Sequence, residues 1–251
     1  MLRVEEVTRR FGGALAVDGV SLTVPAGGIT GLIGPNGAGK TTLFNLIAGS
    51  LRPSAGRILL DGVAISGEPA HGRLARGMAR TFQIPRPFPA MTVLENVMTA
   101  AQHQRGERPF ANLLAPRAVA RQERALIDRA RGIIEFVALT PLIGSPASAL
   151  SGGQRKLLEL ARALMAEPRF LLLDEPAAGV NPSLLDVLVE RVQALNAGGM
   201  TVLLVEHNLD VVARLCGQVH AMAAGRLLAS GTHSEVVADP RVVEAYLGGT
   251  A

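Results

Sequence analysis

The sequence has no tryptophan, one tyrosine and one cysteine in 251 residues. A lone Cys216 excludes an internal disulfide and any cysteine-based metal cluster within one chain, which suits a reducing compartment; core packing is the role its chemistry favours. One tyrosine and no tryptophan argue against a nucleic-acid surface built on base stacking. The net charge of +4 comes from scattered arginines with no basic run of about five to eight, which argues for a solvated basic surface and against nucleic acid as a partner. No stretch reaches the ~18 consecutive apolar residues of a membrane span, and Met1–Glu6 lacks the apolar run of a signal peptide. The expectation is a protein that stays in the cytoplasm. Charge is scarce too, at 18% of residues against a typical ~25%, so part of the surface is expected to be covered by a partner.

This length suits one large α/β core or two small ones, and the pattern favours one domain over residues 1–251 with a helical subdomain inserted at about 90–165. Val4, Val7, Val20, Leu22 and Val24 alternate with polar or small residues, the mark of half-buried strands in an N-terminal antiparallel sheet. The run from Gly28 to Gly34 reads as a buried strand, and Leu43, Phe44 and Ile47 at helical spacing predict a helix over Lys40–Ala48 stopped by Gly49. Phe170–Leu173 and Thr201–Val205 are apolar without alternation, as in parallel strands covered on both faces. Between Thr92 and Leu164 no good strand is found. Within that stretch Gln102–Arg121, polar and interrupted by Pro109 and Pro116, predicts an exposed loop or short irregular helices.

Chemistry gathers where the buried strands end. After the first comes Gly34-Pro35-Asn36-Gly37-Ala38-Gly39-Lys40-Thr41-Thr42, a phosphate-binding loop whose glycines let backbone amides turn toward phosphate and whose helix adds its positive end. Lys40 is expected at the β- and γ-phosphates of ATP, Thr41 on Mg²⁺ and Thr42 on phosphate. The second strand ends in Asp174-Glu175, a metal-binding carboxylate and a candidate base for the attacking water. Glu206-His207 follows the third, with an imidazole able to donate to a phosphate oxygen and hold Glu175 in line. Ligands of open parallel sheets sit at the carboxyl ends of strands, so the three motifs are expected to converge. Ser151-Gly152-Gly153-Gln154 precedes an amphipathic helical pattern, and Ser151 is a natural N-cap for a second anion-binding helix start. Gln83 follows Thr81-Phe82, where its amide can reach metal or lytic water. Phe11, flanked by Val17, is a candidate stacking platform for a base. Each has a blander reading: a Gly-rich turn, an acidic pair capping the turn at Pro176, an ordinary serine cap, an exposed glutamine, a structural histidine, a core phenylalanine.

Taken in that order, the phosphate loop, Leu150-Ser151-Gly152-Gly153-Gln154, Asp174-Glu175 and His207 resemble the ATP-binding cassette of ABC transporters, from about Leu2 to the C-terminus. The resemblance implies an α/β P-loop NTPase with a RecA-like parallel core, an N-terminal antiparallel β subdomain and the inserted helical subdomain. It also implies that Asn36 belongs to the nucleotide loop and that Ser151, Gly153 and Gln154 act on the ATP of a facing cassette. Gln83 would be the Q-loop residue, touching metal and lytic water, with Arg86, Pro87 and Phe88 near a permease docking helix. Arg80-Thr81-Phe82-Gln83, the run Pro176 to Pro182, Glu206-His207-Asn208 and the ending Asp239-Pro240 to Gly248 look like the longer ATPase subunit of branched-chain amino acid importers. That subfamily implies a head-to-tail heterodimer with a shorter cassette, two transmembrane permease subunits, an extracytoplasmic binding protein and a peripheral position on the cytoplasmic face of the cell membrane. A lipopolysaccharide-export cassette and a soluble cassette of iron–sulfur assembly or DNA repair are the alternatives. Asn181 departs from the pattern, since many cassettes have Asp there, and Phe11 stands where many have Tyr.

Overall fold

In the computed structural model, which describes residues 1–107 and 115–247, the elements in chain order are β1 (Leu2–Phe11), β2 (Ala14–Val24), β3 (Ile29–Ile33), α1 (Lys40–Ala48), β4 (Ala55–Leu60), β5 (Val63–Ala64), α2 (Ala70–Ala75), β6 (Met78–Arg80), α3 (Val93–Met98), α4 (Pro116–Phe136), α5 (Gly152–Met165), β7 (Phe170–Asp174), α6 (Pro182–Ala197), β8 (Thr201–Val205), α7 (Leu209–Leu215), β9 (Gln218–Ala223), β10 (Arg226–Gly231), α8 (His233–Ala238) and α9 (Pro240–Leu247). The chain divides into two compact units. One takes Met1–Arg80, Arg169–Ala177 and the chain from Val192 onward; the other takes Thr81–Pro168 and Ala178–Arg191.

The first unit holds two sheets. An antiparallel sheet of order β2-β1-β4-β5 is built on the alternating N-terminal strands, and a six-stranded sheet has the order β10-β9-β3-β8-β7-β6. Within the latter, β3 pairs in parallel with β8 and β9, and β7 with β8 and β6; β10 closes the edge antiparallel to β9. All five residues of β3, β7 and β8 are buried, which is why these strands read as unbroken apolar runs. One apolar cluster contains Val4, Val7 and Val20 of the first sheet, Leu32, Leu172 and Leu203 of the second, and Leu43, Phe44, Leu46 and Ile47 of α1. Helix α1 ends where Gly49 adopts φ 80° and its amide returns to Asn45 and Leu46, the left-handed stop that glycine supplies. Arg73, 1% exposed, reaches the same helix end: its guanidinium donates to the carbonyls of Leu46, Ile47, Ile65 and Glu68.

The second unit is helical among its described residues, with α3, α4, α5 and the start of α6. Thr92 opens α3 and Ser151 opens α5, each through a reciprocal capping box. The expectation of an irregular segment holds for residues 102–107, where the one regular turn is a 3₁₀ helix over Arg105–Glu107, but Pro116 corrects the rest: it sits in the first turn of the 21-residue helix α4, where a missing N–H costs nothing. Arg117–Arg121 therefore form the first turns of a regular helix, while Pro109 lies outside the described residues. Ala130 and Ile134 are the buried positions of α4, and among the described residues no helix is long and apolar enough to cross a membrane.

Candidate functional site

The loop between β3 and α1 owes its shape to packing as much as to any ligand. Gly34 has φ 146°, and a Cβ there would lie 2.1 Å from the Met222 carbonyl oxygen of β9; only glycine lets the loop leave the sheet at that point. Asn36 and Gly37 form the exposed tip, and Gly39, left-handed, is the N-cap of α1. Lys40 is 5% exposed and its Nζ donates to the carbonyls of Gly34 at 2.7 Å and Pro35 at 2.8 Å. Burial lowers its pKa, with Glu175 pulling the other way. Thr41 is exposed and Thr42 half-buried on the first turn of the helix. The turn after β9 anchors this loop through the Gly225 amide on the Ala38 carbonyl at 3.1 Å. Tyr246 of α9 also reaches it: burial pushes the phenol up, partly offset by a hydrogen bond from the Gly34 backbone.

Two neighbouring strands bring the acidic pair and the histidine to the same unit. Asp174, 3% exposed, ends β7 opposite Val205 of β8. Its Oδ2 accepts from Arg80 Nη2 at 3.0 Å, while Arg80 Nη1 donates to Asn45 Oδ1 at 2.6 Å and Ser50 Oγ at 3.1 Å; the guanidinium also lies 5.0 Å over the Phe44 ring. Arg80 thus ties the Asp174 carboxylate to α1. Glu175 has φ 46°, a left-handed conformation that is costly for a residue with a Cβ and is held where surrounding structure over-determines it. Here the Glu175 amide donates to the Val205 carbonyl at 2.9 Å, and His207 Nε2 lies 3.0 Å from Glu175 Oε1. His207 is the more open of the two, its side chain 40% exposed against 15%. Phe11 is 45% exposed, with the Arg9 guanidinium 4.7 Å over its ring. Val17, expected beside it, is fully buried in the apolar cluster, so of that pair only Phe11 presents its side chain outward.

Gln83, Ser151, Gly153 and Gln154 belong to the second unit. Ser151 Oγ accepts from the Gln154 amide at 3.3 Å, and Gln154 Oε1 accepts from the Ser151 amide at 2.8 Å. Gly153 is buried: a Cβ there would meet Leu184 Cδ1 at 2.8 Å, so this glycine lets α5 approach α6. Asn181 caps α6, its Oδ1 accepting from the Leu184 amide at 2.9 Å. Gln83 is exposed, and its carbonyl accepts from Lys156 Nζ at 2.6 Å. Arg162 of the same helix donates to the Arg86 carbonyl at 3.1 Å and lies 5.6 Å over the Phe88 ring. Between them in sequence, Glu159 is 6% exposed; burial pushes its carboxyl up, and Arg162 together with the Phe82 and Arg86 amides pulls it back. Helix α5 therefore grips the 82–88 loop through Lys156, Glu159 and Arg162. Beside this loop is a groove of about 630 Å³ lined by Ile84, Pro85, Pro87, Pro89, Arg155 and Gly179 among others, with Phe82, Ile84 and Phe88 between 47% and 71% exposed.

Arg80, Glu206, Tyr246 and the Lys156–Glu159–Arg162 grip were not anticipated as site features. The S-x-x-Q spacing at 151–154 did carry a capping-box signal; an arginine at the end of a three-residue strand carries none. Among the described residues no three His, Cys, Asp or Glu side chains cluster as a metal cage. The Thr41 hydroxyl and Asp174 carboxylate are hard oxygen donors, and so few protein ligands fit an Mg²⁺ ion that keeps its waters and shares phosphate oxygens.

A family model described as ABC transporter matches residues 17–178, and one described as branched-chain amino acid ATP-binding cassette transporter matches residues 226–251. The probable branched-chain amino acid transport ATP-binding protein LivG of Archaeoglobus fulgidus is 40% identical over 248 residues, covering 99% of this chain and 95% of that protein. The high-affinity branched-chain amino acid transport ATP-binding protein BraF of Pseudomonas aeruginosa is 41% identical over 249 residues, covering 99% and 98%. Among solved structures, the ADP conformation of an ATP-binding cassette of an ABC transporter has a TM-score of 0.86 at 39% identity, covering 99% of this chain and 98% of that one. A nucleotide-free cassette from an ABC transporter has a TM-score of 0.85 at 38% identity, covering 98% of each chain.

Proposed function

The chain belongs to the ABC transporter family as an ATP-hydrolysing cassette, and we propose that it powers an importer of branched-chain or related hydrophobic amino acids. What carries this reading is the meeting, at the ends of β3, β7 and β8, of a phosphate loop, a buried aspartate and a Glu175–His207 pair. The substrate class rests on the match over residues 226–251 and on the names of the relatives. In this proposal the two units form one ATPase domain with the helical unit inserted.

The loop amides from Gly34 to Gly39, with Asn36 at its tip, and the start of α1 bind the phosphates of ATP. Lys40, whose ammonium rests on two carbonyls of the loop, exchanges them for β- and γ-phosphate oxygens. Thr41 and Asp174 would hold Mg²⁺, and when bound the ion would neutralise charge on the phosphates. Thr42 donates to phosphate, and Phe11 stacks on the base with the ring face that Arg9 leaves open. Glu175 orients and polarises the attacking water, and His207 keeps Glu175 in line while facing the γ-phosphate. Phosphoryl transfer asks chiefly for positioning and charge stabilisation, which suits a glutamate held in a strained backbone and bonded to its neighbour.

The start of α5, with Ser151, Gly153 and Gln154, serves the nucleotide of a second cassette in a head-to-tail dimer, since this chain already carries one phosphate loop. Gly153 acts there by close packing of α5 on α6, and Ser151 and Gln154 by shaping the capped helix start. One of the two permease subunits docks on the exposed apolar loop Phe82–Phe88 and the groove beside it, and the grip of α5 on that loop passes its movement to Ser151. The protein is then peripheral, held at the cytoplasmic face of the cell membrane through the permeases, which receive substrate from an extracytoplasmic binding protein.

The test is ATPase activity of the chain alone and with co-expressed permeases and partner cassette, wild type beside Glu175→Gln, with ATP-dependent association followed by light scattering. Loss of turnover in Glu175→Gln together with an accumulating ATP-bound dimer is expected, as is leucine-stimulated hydrolysis in the full assembly. Unchanged turnover in Glu175→Gln, or ATP binding with no dimer in any combination, would sink the roles given to Glu175 and Ser151.

A further inference from the structure

We propose that Glu206 is a positioning residue that sets His207 against Glu175, using the two oxygens of one carboxylate to bind the two loops that carry them. This rests on the roles proposed above for Glu175 and His207. Glu206 follows β8 and is 2% exposed. Its Oε1 accepts from the Ala177 amide at 2.7 Å, in the loop after β7. The other oxygen, Oε2, accepts from the amides of His207 at 3.1 Å and Asn208 at 3.3 Å, in the loop after β8. Pro176 has no N–H, so Ala177 supplies the first amide after Glu175 by which that loop can be fastened. Together with the Glu175 amide on the Val205 carbonyl, this fastens the backbone on both sides of the peptide that carries the Glu175 side chain. On the other side, Asn208 caps α7, its Oδ1 accepting from the amides of Asp210 at 3.0 Å and Val211 at 3.3 Å, so the His207 backbone is held between Glu206 and a helix.

The chemistry demands a carboxylate of this length. Ionised, it offers acceptors on both oxygens and no donor, and the donors it faces come from different loops on its two sides. An amide keeps one acceptor and turns an NH₂ toward the other loop, so Glu206→Gln satisfies one side and opposes N–H to N–H on the other. Aspartate keeps the charge but is one methylene short, and spans to one loop. A buried carboxylate left without its partners is costly, so the three amide bonds also explain how Glu206 is tolerated at this depth. Burial pushes its pKa up, as does the nearby Glu175, and the amides of Ala177, Asn208 and His207 pull it back.

Two measurements test this, the first on the assembly with co-expressed permeases and partner cassette and the second on the chain alone. In steady-state ATP hydrolysis, Glu206→Gln should lower kcat about 10- to 100-fold, the scale of a misplacement near 1 Å, with KM for ATP within about twofold; Glu206→Asp should fall between it and wild type. On the purified chain, the ¹⁵N signal of the His207 imidazole, assigned by its loss in His207→Ala, should move in Glu206→Gln toward its position in Glu175→Ala, as the Nε2–Oε1 contact opens. A His207 signal that keeps its wild-type shift overturns the proposal whatever the activity, and so does a rise in KM with kcat unchanged. Should Glu206→Gln not fold, the same two readings on Glu206→Asp decide. If His207→Ala leaves turnover intact, the assignment of His207 fails, whereas the imidazole signal still reports separately on whether Glu206 places the ring.

Discussion

Replacing Arg73 by methionine should destabilise the protein by about 2–4 kcal/mol, though Arg73 touches no part of the nucleotide loop. Its guanidinium donates to Leu46 at 2.6 Å, Ile65 at 2.9 Å, Glu68 at 3.2 Å and to Ile47. Two of these carbonyls, Leu46 and Ile47, lie in the last turn of α1, where a helix leaves its acceptors without internal partners and where a cation also meets the negative end of the dipole. Methionine fills much the same volume but donates nothing. Leu46 keeps the Gly49 amide at 3.3 Å and Ile65 the Glu68 amide at 3.0 Å, so each loses only part of its bonding. The buried Ile47 carbonyl loses the guanidinium outright, at about 1–3 kcal/mol. Against this, burial of the guanidinium is itself unfavourable, lowering its pKa to about 10, and methionine relieves that cost. The net loss corresponds to roughly 4–16 °C in Tm for a chain of this size. Urea unfolding followed by circular dichroism reads it as a drop in midpoint at constant m-value. Arg73→Lys, with one compact ammonium in place of a fork, should recover part of the loss. A midpoint for Arg73→Met within about 0.5 kcal/mol of wild type would refute the reasoning, since changes of that size are what ordinary surface substitutions produce.

Three more outcomes are expected. His220 is buried with Nε2 3.1 Å from the Thr23 carbonyl and Nδ1 2.7 Å from Ser230 Oγ, an arrangement for a neutral ring, and burial lowers its pKa below 6.5. The unfolded state then binds the extra proton first, so its contribution to stability is complete above pH ~6.5 and is lost as pH falls below that value; Tm of wild type minus Tm of His220→Gln should decline through that window, and a flat difference counts against the assignment. Gly34→Ala forces a Cβ to 2.1 Å from the Met222 carbonyl oxygen, so it should cost at least ~2 kcal/mol and weaken ATP binding measured by calorimetry; wild-type stability would mean that the loop leaves the sheet by another path. Cys216 is buried, with its thiol pushed up to about 12, and should resist iodoacetamide in the native protein and label fully in urea; rapid native labelling would contradict the burial.

The sequence by itself determined what local rules govern. Helix α1 runs from Lys40 to Ala48 and stops at Gly49 as its glycines and periodicity dictated, β8 covers the same residues as its apolar run, and Ser151 caps α5. The family, the P-loop fold and the order of the motifs were equally legible, because each is a contiguous string whose spacing carries its meaning. Pro116 was misjudged because proline breaks a helix interior and begins a helix equally well, and only the chain around it decides which. Everything that depends on residues distant in sequence belonged to the tertiary structure. Arg80 sits 94 residues from Asp174, Glu206 lies 29 from Ala177, and the Tyr246 phenol meets the Gly34 backbone from the far end of the chain. No periodicity announces such partners. They arise because parallel pairing of β3, β8 and β7 brings three strand ends side by side, and a buried charge placed there is stable only where the fold supplies its partner.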